Sequence, residues 1–278
     1  MKVPQHVVDQ RRARLEQLVS SSRYVPLWEV CERLKISEAT ARRDLRALER
    51  AGRIQRTRGG ALSEFDERFP SYHERQRKSS RSKAALARAA LKAVRPGMTI
   101  FFDSGTTVSF LARALAEAPV GPLRILTVSL PVAEVLAPHR EMEVFLTGGQ
   151  MFPRQSVLLG DEVVRSIEAW RFDAAFLSAE AMDAEGLWNS QLAIVAHQHA
   201  VVRRADHNIF LLDRSKAGRS APHFLLPWAA VDHLLTDTPA PRLRELSPAA
   251  ERVAWLPAMP TPNLPASGQP AELPVHFL

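Results

Sequence analysis

From residue 99 to residue 237 the chain repeats one pattern: a short apolar run, a loop of small or polar residues, then a stretch with helical spacing. The runs are Thr99 to Phe102, then "RILTVS", "EVFLTGG", "DAAFLSAEAM", "HNIFLLDRSKAG" and "VDHLLTD". Strands that alternate with helices return to the same sheet by crossovers. The pattern therefore predicts an α/β domain with a largely parallel sheet. In such sheets ligands bind beyond the carboxyl ends of the strands. Asp103, Thr127, Gly148, Gly149, Asp213 and Lys216 all follow these runs and are expected on one edge.

The loop "DSGTT" sits between the first run and a helix that carries Leu111 and Leu115. Backbone N–H groups and the helix dipole converge at such a place and favour an anion. Ser104, Thr106 and Thr107 would add hydroxyl donors, and Gly105 would let the backbone approach a ligand closely. The same residue types also cap helices that bind nothing. Lys216 is open to two readings as well, a phosphate ligand or an exposed surface lysine.

Charge separates this region from what precedes it. Residues 1–80 hold 18 Lys and Arg against 11 Asp and Glu, so the whole net charge of +7 lies there, and the remainder is balanced at 19 and 19. Localised basic charge is the footprint of nucleic-acid binding. An anionic membrane surface is the competing partner, but no basic helix with Trp or Phe on its apolar face is evident. Two helices are expected in "VVDQRRARLEQLVSSS" and after Pro26, the second with Leu27, Val30, Cys31 and Leu34 on one face. Ser37 is a good N-cap for a third, whose Ala41, Leu45 and Leu48 share a buried face. Thr40, Arg42, Arg43 and Arg46 then lie on other faces. A helix of this size fits a major groove about 12 Å wide, where guanidinium forks reach phosphate or guanine edges. "RIQRTRGGAL" follows as a two-stranded wing carrying Arg56 and Arg58, to lie along the DNA backbone or probe the minor groove. A solvated helix face and a solvated basic hairpin are the plainer alternatives.

The segment "RRARLEQLV…VPLWEVCERLKISEATARRDLRALERAGRIQRTRGGAL" resembles the winged helix-turn-helix of DeoR-type bacterial transcriptional regulators. The motif falls at Ser37, Thr40, Arg42, Arg43, Asp44, Leu45, Leu48, Glu49, Gly52, Arg56, Gly59, Gly60 and Ala61, with Ala41 where the family usually has Ile. "DSGTT", "TGG", "LLDRSKAG" and "TD" resemble, in order, the family's effector domain, which is similar to ribose-5-phosphate isomerase. The resemblance implies a double-stranded DNA operator as partner. It also implies a phosphorylated sugar or related metabolite as effector, bound at the α/β domain and altering DNA affinity, most often in a repressor. Val128 stands in place of the family's Asn, Ser178 and Ala181 where Gly is usual, and Ile194 where an acidic residue is expected. The phosphate end is thus kept while the side that reads the sugar is altered.

The expected organisation is a winged helix-turn-helix domain over residues 1–61, a charged linker over 62–80, and an α/β effector-sensing domain over 81–238. Residues 239–278, with nine of the 20 prolines, are expected to form an extended or partly disordered tail. The lone Cys31 rules out an internal disulfide, and neither a cofactor nor a metal site is expected. No apolar run of about 18 residues predicts a membrane span, the N-terminus lacks the apolar core of a signal peptide, and a cytoplasmic protein is expected. A sugar-phosphate isomerase is the alternative function. It would draw on Asp103 or Asp213, yet no base–acid pair stands out. One helix-turn-helix reads few base pairs, so a homo-oligomer, at least a dimer, is expected.

Overall fold

The computed structural model describes residues 5–22, 24–51, 54–57, 60–63, 70–219 and 221–255. The chain divides into two compact units, Met1–Ser71 and Tyr72–Leu278.

In the first unit, α1 (Gln5–Ser22), β1 (Tyr24–Pro26), α2 (Leu27–Leu34) and α3 (Glu38–Arg50) precede β2 (Ile54–Thr57) and β3 (Gly60–Ser63). The expected two-stranded wing is a three-stranded antiparallel sheet, because β1 adds to β3 on the side away from β2. Leu15 and Val19 of α1, Val30 of α2, and Ala41, Leu45 and Leu48 of α3 close one core with Val25 and Ile54. Cys31 packs at its margin.

The second unit begins with α4 (Tyr72–Arg77) and α5 (Ser80–Leu91), so the linker expected over 62–80 is corrected at both ends. Residues 62 and 63 belong to β3. Tyr72 is buried, and its N–H donates to Arg154 O at 2.9 Å. The segment looked solvated because long charged side chains carry apolar stems that pack while their heads stay polar.

Next come β4 (Thr99–Phe102), α6 (Thr106–Glu117), β5 (Leu123–Thr127), α7 (Leu130–Leu136) and β6 (Met142–Leu146). A hairpin of β7 (Gln150–Phe152) and β8 (Val157–Leu159) and helix α8 (Asp161–Glu168) lead to β9 (Ala174–Leu177). Then follow β10 (Ala181–Met182), β11 (Gly186–Asn189), α9 (Leu192–Arg204), β12 (Asn208–Leu212), β13 (His223–Pro227) and β14 (His233–Thr236). The described residues end in α10 (Ala240–Leu246), α11 (Pro248–Val253) and β15 (Ala254–Trp255).

Seven strands form one parallel sheet in the order β15-β14-β12-β9-β4-β5-β6. Every residue of β9 and β12 is buried, as in strands covered by helices on both faces. Phe101, Phe102, Phe172, Phe176 and Phe210 fill the centre. From β4 the chain runs outward to β6, then returns to lay β9 against the other side of β4. The strand order therefore reverses between β4 and β9, which is where such sheets open a crevice at their carboxyl edge.

The tail expected from Pro239 is a second correction. Residues 240–255 fold as α10, α11 and β15, with Leu243 and Ala250 fully buried and β15 paired to β14. Pro239, Pro241 and Pro248 occupy N-cap or first-turn positions, where a missing N–H costs nothing. Proline here starts helices. The rest of the expected tail lies outside the described residues.

Candidate functional site

The third helix is built as a surface with a fixed back. Ser37 caps it, accepting the Thr40 N–H at 3.4 Å, with its hydroxyl 3.0 Å from the Thr40 hydroxyl. Arg42, Arg43 and Arg46 are exposed. Arg42 forks onto Glu38 one turn earlier, whereas Arg43 and Arg46 form no ion pair among the described residues. Arg56 lies in β2 opposite Ala61 of β3, and Arg58 is outside the described residues.

The back of the same helix holds a feature that spacing did not signal. Asp44, with its side chain 1% exposed, accepts Arg11 Nε at 2.6 Å on one oxygen and Arg12 Nε at 3.0 Å on the other. Two cations of α1 thus neutralise a carboxylate sealed beneath the exposed arginines. Part of the basic excess of this segment is spent internally.

At the carboxyl edge of the large sheet, α6 begins at Gly105 with no side chain capping it. Its first backbone N–H groups are left open. The hydroxyls of Thr106 and Thr107 make no hydrogen bond among the described residues. Of the two readings of "DSGTT", the capped helix start does not form, since no side chain caps α6.

Asp103 takes a different role from the one expected. Both carboxylate oxygens are occupied by protein donors. Ser104 N–H reaches Oδ1 at 2.7 Å and His197 Nε2 at 3.0 Å, while Gln198 Nε2 reaches Oδ2 at 2.7 Å and Ser178 N–H at 3.3 Å. Burial pushes this carboxyl upward, but the hydrogen bond and charge of His197, with the Ser104 and Gln198 bonds, outweigh it and hold the group below the usual carboxylate range. A carboxylate so saturated positions the loop and has no lone pair left for a ligand. Gln198 is itself held by Asn189 at 3.0 Å and Ser178 O at 2.6 Å. His197 and Gln198 lie in the "IVAHQHAVVRR" segment, whose departure from the family pattern was the only sequence signal for this network.

Gly105 also differs from expectation. A Cβ there would lie 2.2 Å from Ser178 Cβ. Its missing side chain is taken up by Ser178 across the β4–β9 crevice, not by the approach of a ligand. Gly149, at φ +120°, turns the chain after β6, where a Cβ would meet Leu159 O at 2.9 Å; Gly148 is exposed beside it. Thr127 cross-links the edge, donating to Phe102 O at 2.7 Å and accepting Ser129 N–H at 3.0 Å.

Asp213 follows β12 and caps the 3₁₀ turn after it through Ser215 N–H at 3.0 Å. Lys216 closes that turn half-buried, and its ammonium makes no hydrogen bond among the described residues. Burial lowers its pKa, Glu180 and Asp213 oppose this, and Arg75 and Arg219 add to it. β12 and β4 are separated by β9 alone, so the turn that carries Lys216 and the start of α6 both follow the carboxyl ends of near-neighbour strands on one edge of the sheet. Lys83 of α5 and Arg75 of α4 also act on this group of charges; the first lay beyond the expected site and the second in the expected linker. Among the described residues no cluster of His, Cys, Asp and Glu could hold a metal ion, and no helix is long and apolar enough to cross a membrane.

Residues 11–66 match the DeoR-like helix-turn-helix domain, and residues 78–238 match the DeoR C terminal sensor domain. The chain is 30% identical over 233 residues to the glycerol-3-phosphate regulon repressor of Escherichia coli, spanning 84% of this chain and 92% of that one. It is 29% identical over 232 residues to the HTH-type transcriptional regulator UlaR of Escherichia coli, spanning 82% and 90%. A ribose-5-phosphate isomerase in complex with phospho-erythronic acid superposes over 50% of this chain and 54% of its own, at 19% identity and a TM-score of 0.37, too slight a likeness to carry chemistry across.

Proposed function

The chain belongs to the DeoR family, and from that premise we propose that it is a sequence-specific DNA-binding regulator, acting as a repressor, whose operator affinity is set by a phosphorylated small molecule. DNA reading is assigned to the first unit, through Ser37, Thr40, Arg42, Arg43 and Arg46 of α3 and its cap and Arg56 and Arg58 of the wing. Sensing is assigned to residues 72–255. There Ser104, Thr106, Thr107 and the first N–H groups of α6 cradle the phosphoryl group and Lys216 supplies a point charge. Asp103 and Gly105 hold that loop in shape, and Gly148 and Gly149 border it. The cytoplasm is the proposed setting.

The observation that carries this reading is the pairing of an arginine-bearing α3, backed by a buried carboxylate clamp, with an uncapped α6 start on the edge that bears Lys216. The isomerase alternative loses Asp103 as a base, since both its oxygens are occupied by protein donors, and the relatives that this chain resembles over most of its length are named as regulators. The test is an operator titration with and without a panel of phosphomonoesters, beginning with glycerol 3-phosphate. Affinity unmoved by any of them removes the sensor role.

Within that assay, Arg43→Ala is expected to weaken operator binding by about 1–3 kcal/mol, roughly 5- to 150-fold, as for loss of a side chain bidentate to a base. Binding to unrelated DNA should change far less. Equal losses on both would place Arg43 on phosphate alone. Half-site geometry further requires at least two copies on one operator. Light scattering should give a mass of at least twice the 31.0 kDa chain. A monomer both free and on DNA would remove that part of the proposal.

A further inference from the structure

We propose that the outer edge of β6 is a self-pairing surface, on which β6 of a second copy lies antiparallel about a two-fold axis at Val144, so that the large sheet continues from one protomer into the next. The two-copy requirement stated above names no surface. This inference supplies one, and it rests on that requirement and not on the effector.

β6 is the last strand on its side of the seven-stranded sheet. Its neighbour β5 takes only half of its backbone groups. Leu123 N–H donates to Glu141 O at 2.9 Å and Thr147 N–H to Thr127 O at 3.0 Å, so the odd-numbered residues from 141 to 147 turn toward β5. Successive residues of a strand direct their N–H and C=O to opposite sides, and Met142, Val144 and Leu146 therefore face away from the sheet. Met142 N–H bends back to His139 O at 2.9 Å. The N–H groups of Val144 and Leu146, and the carbonyls of all three residues, meet no partner among the described residues.

The two edges of the sheet are finished differently. Exposed edges are ordinarily blunted by short strands, prolines, lysines or bulges. At the other edge β15 has two residues. β6 has five, with neither proline nor lysine and an unbroken register against β5, and its Leu146 is 44% exposed. Its one charged side chain, Glu143, is tied to Arg124 of β5 at 3.1 Å.

The strand is also complementary to itself. With the axis at Val144, this residue and the partner's Val144 exchange N–H···O bonds, and each Leu146 N–H reaches the Met142 carbonyl of the other copy. The same register sets Leu146 beside the partner's Met142 on one face, and Glu143 beside the partner's Phe145 on the other. No like charges stand directly opposite. An axis at residue 143 would bring the two Glu143 carboxylates face to face, and one at residue 145 would set Met142 against the partner's Gly148. This match of the edge to its own two-fold image is what makes a second copy the occupant.

The test uses full-length protein, with light scattering for mass and amide exchange to read the edge itself. In wild type the Val144 and Leu146 amides should exchange more slowly as rising concentration drives association. Leu146→Lys puts a charge on the edge and should halve the wild-type mass, raising the dissociation constant roughly a hundredfold because the two-fold installs the change twice. Val144→Pro deletes the central donor of the pairing and none that β6 gives to β5, so it should do the same in a folded sheet. Protection of the β4 and β5 amides verifies the fold, and Leu146→Lys decides the matter if the proline variant fails that check. Phe224→Lys charges a comparably exposed apolar side chain, 40% exposed on β13, and should leave the mass unchanged.

An associated wild type whose Val144 and Leu146 amides exchange freely, or whose mass falls only with Phe224→Lys, overturns the β6 surface while the two-copy requirement stands. Slow exchange in a chain that stays monomeric would show the edge covered by the same chain, and overturns it too; loss of that protection on truncation after residue 255 would name the cover. A wild type that is monomeric both free and on DNA removes the two-copy requirement and this inference together.

Discussion

Asp44→Ala is expected to destabilise the DNA-binding unit by about 3 kcal/mol and to abolish operator binding at concentrations where wild type is saturated. Removing one partner of a buried ion pair costs about 3–5 kcal/mol, because the remaining charge stays desolvated. Here the survivors are Arg11 and Arg12, whose side chains keep 20% and 29% of their exposure, so the loss belongs at the lower end. The unit is small, and at about 0.05–0.15 kcal/mol per residue such a loss is a large fraction of its stability. Asp44→Asn preserves volume and one acceptor, and should lose less. Arg11→Ala and Arg12→Ala each leave Asp44 one partner and should fall between Asn and wild type. Because two units need not unfold together, hydrogen exchange of α1 and α3 amides is the suitable measurement. Unchanged exchange protection in Asp44→Ala would show that hydrophobic packing alone holds α3 in place.

The second large effect is expected at Gly105. In Gly105→Ala the new Cβ would fall 2.2 Å from Ser178 Cβ and 2.6 Å from its Oγ, so one of the two loops must move. Overpacking of this kind costs about 1–3 kcal/mol. Its functional cost is greater, since Ser178 also donates to Asp103 and accepts from Gln198 through its backbone, and that network fixes the start of α6. The variant should lose its response to effector. Ser178→Gly removes the colliding atoms, so the double variant should recover most of the stability and the response. A coupling energy of about 1–3 kcal/mol in the double-mutant cycle is expected for residues in direct contact. Additive losses would mean that the two side chains do not oppose each other across the crevice.

Much of this architecture can be read without coordinates. Ala41, Leu45 and Leu48 recur at the spacing of one helical face, Ser37 precedes them as a cap, and the apolar runs from Thr99 onward alternate as a parallel sheet requires. What escapes is whatever depends on partners distant in the chain. Asp44 reads as one more charged helix residue, because the arginines that bury it lie 32 and 33 positions away. Asp103 reads as a ligand, because His197 and Gln198 are 94 and 95 positions away. Lys83 has no signature at all: a lysine among alanines reads as ordinary solvent-facing helix, yet it is buried and donates to Arg75 O of α4. The prolines after residue 238 misled for a separate reason. Composition counts them without regard to position, and a proline in a first helical turn means the opposite of one in a disordered tail.

The reach of the Asp103 network bears on how the molecule comes into being on the ribosome. Its donors stand at Ser104, Ser178, His197 and Gln198, so the cradle stays unbuilt until α9 has emerged and β9 has settled against β4. The residues of α1 and α3 that clamp Asp44 are all made before residue 51. Translation therefore delivers the DNA-reading half early and the responsive half late. A premature stop codon between the two points would leave a fragment with a complete α3 and no way to hear the effector. Any operator that such a fragment held would be released by no effector.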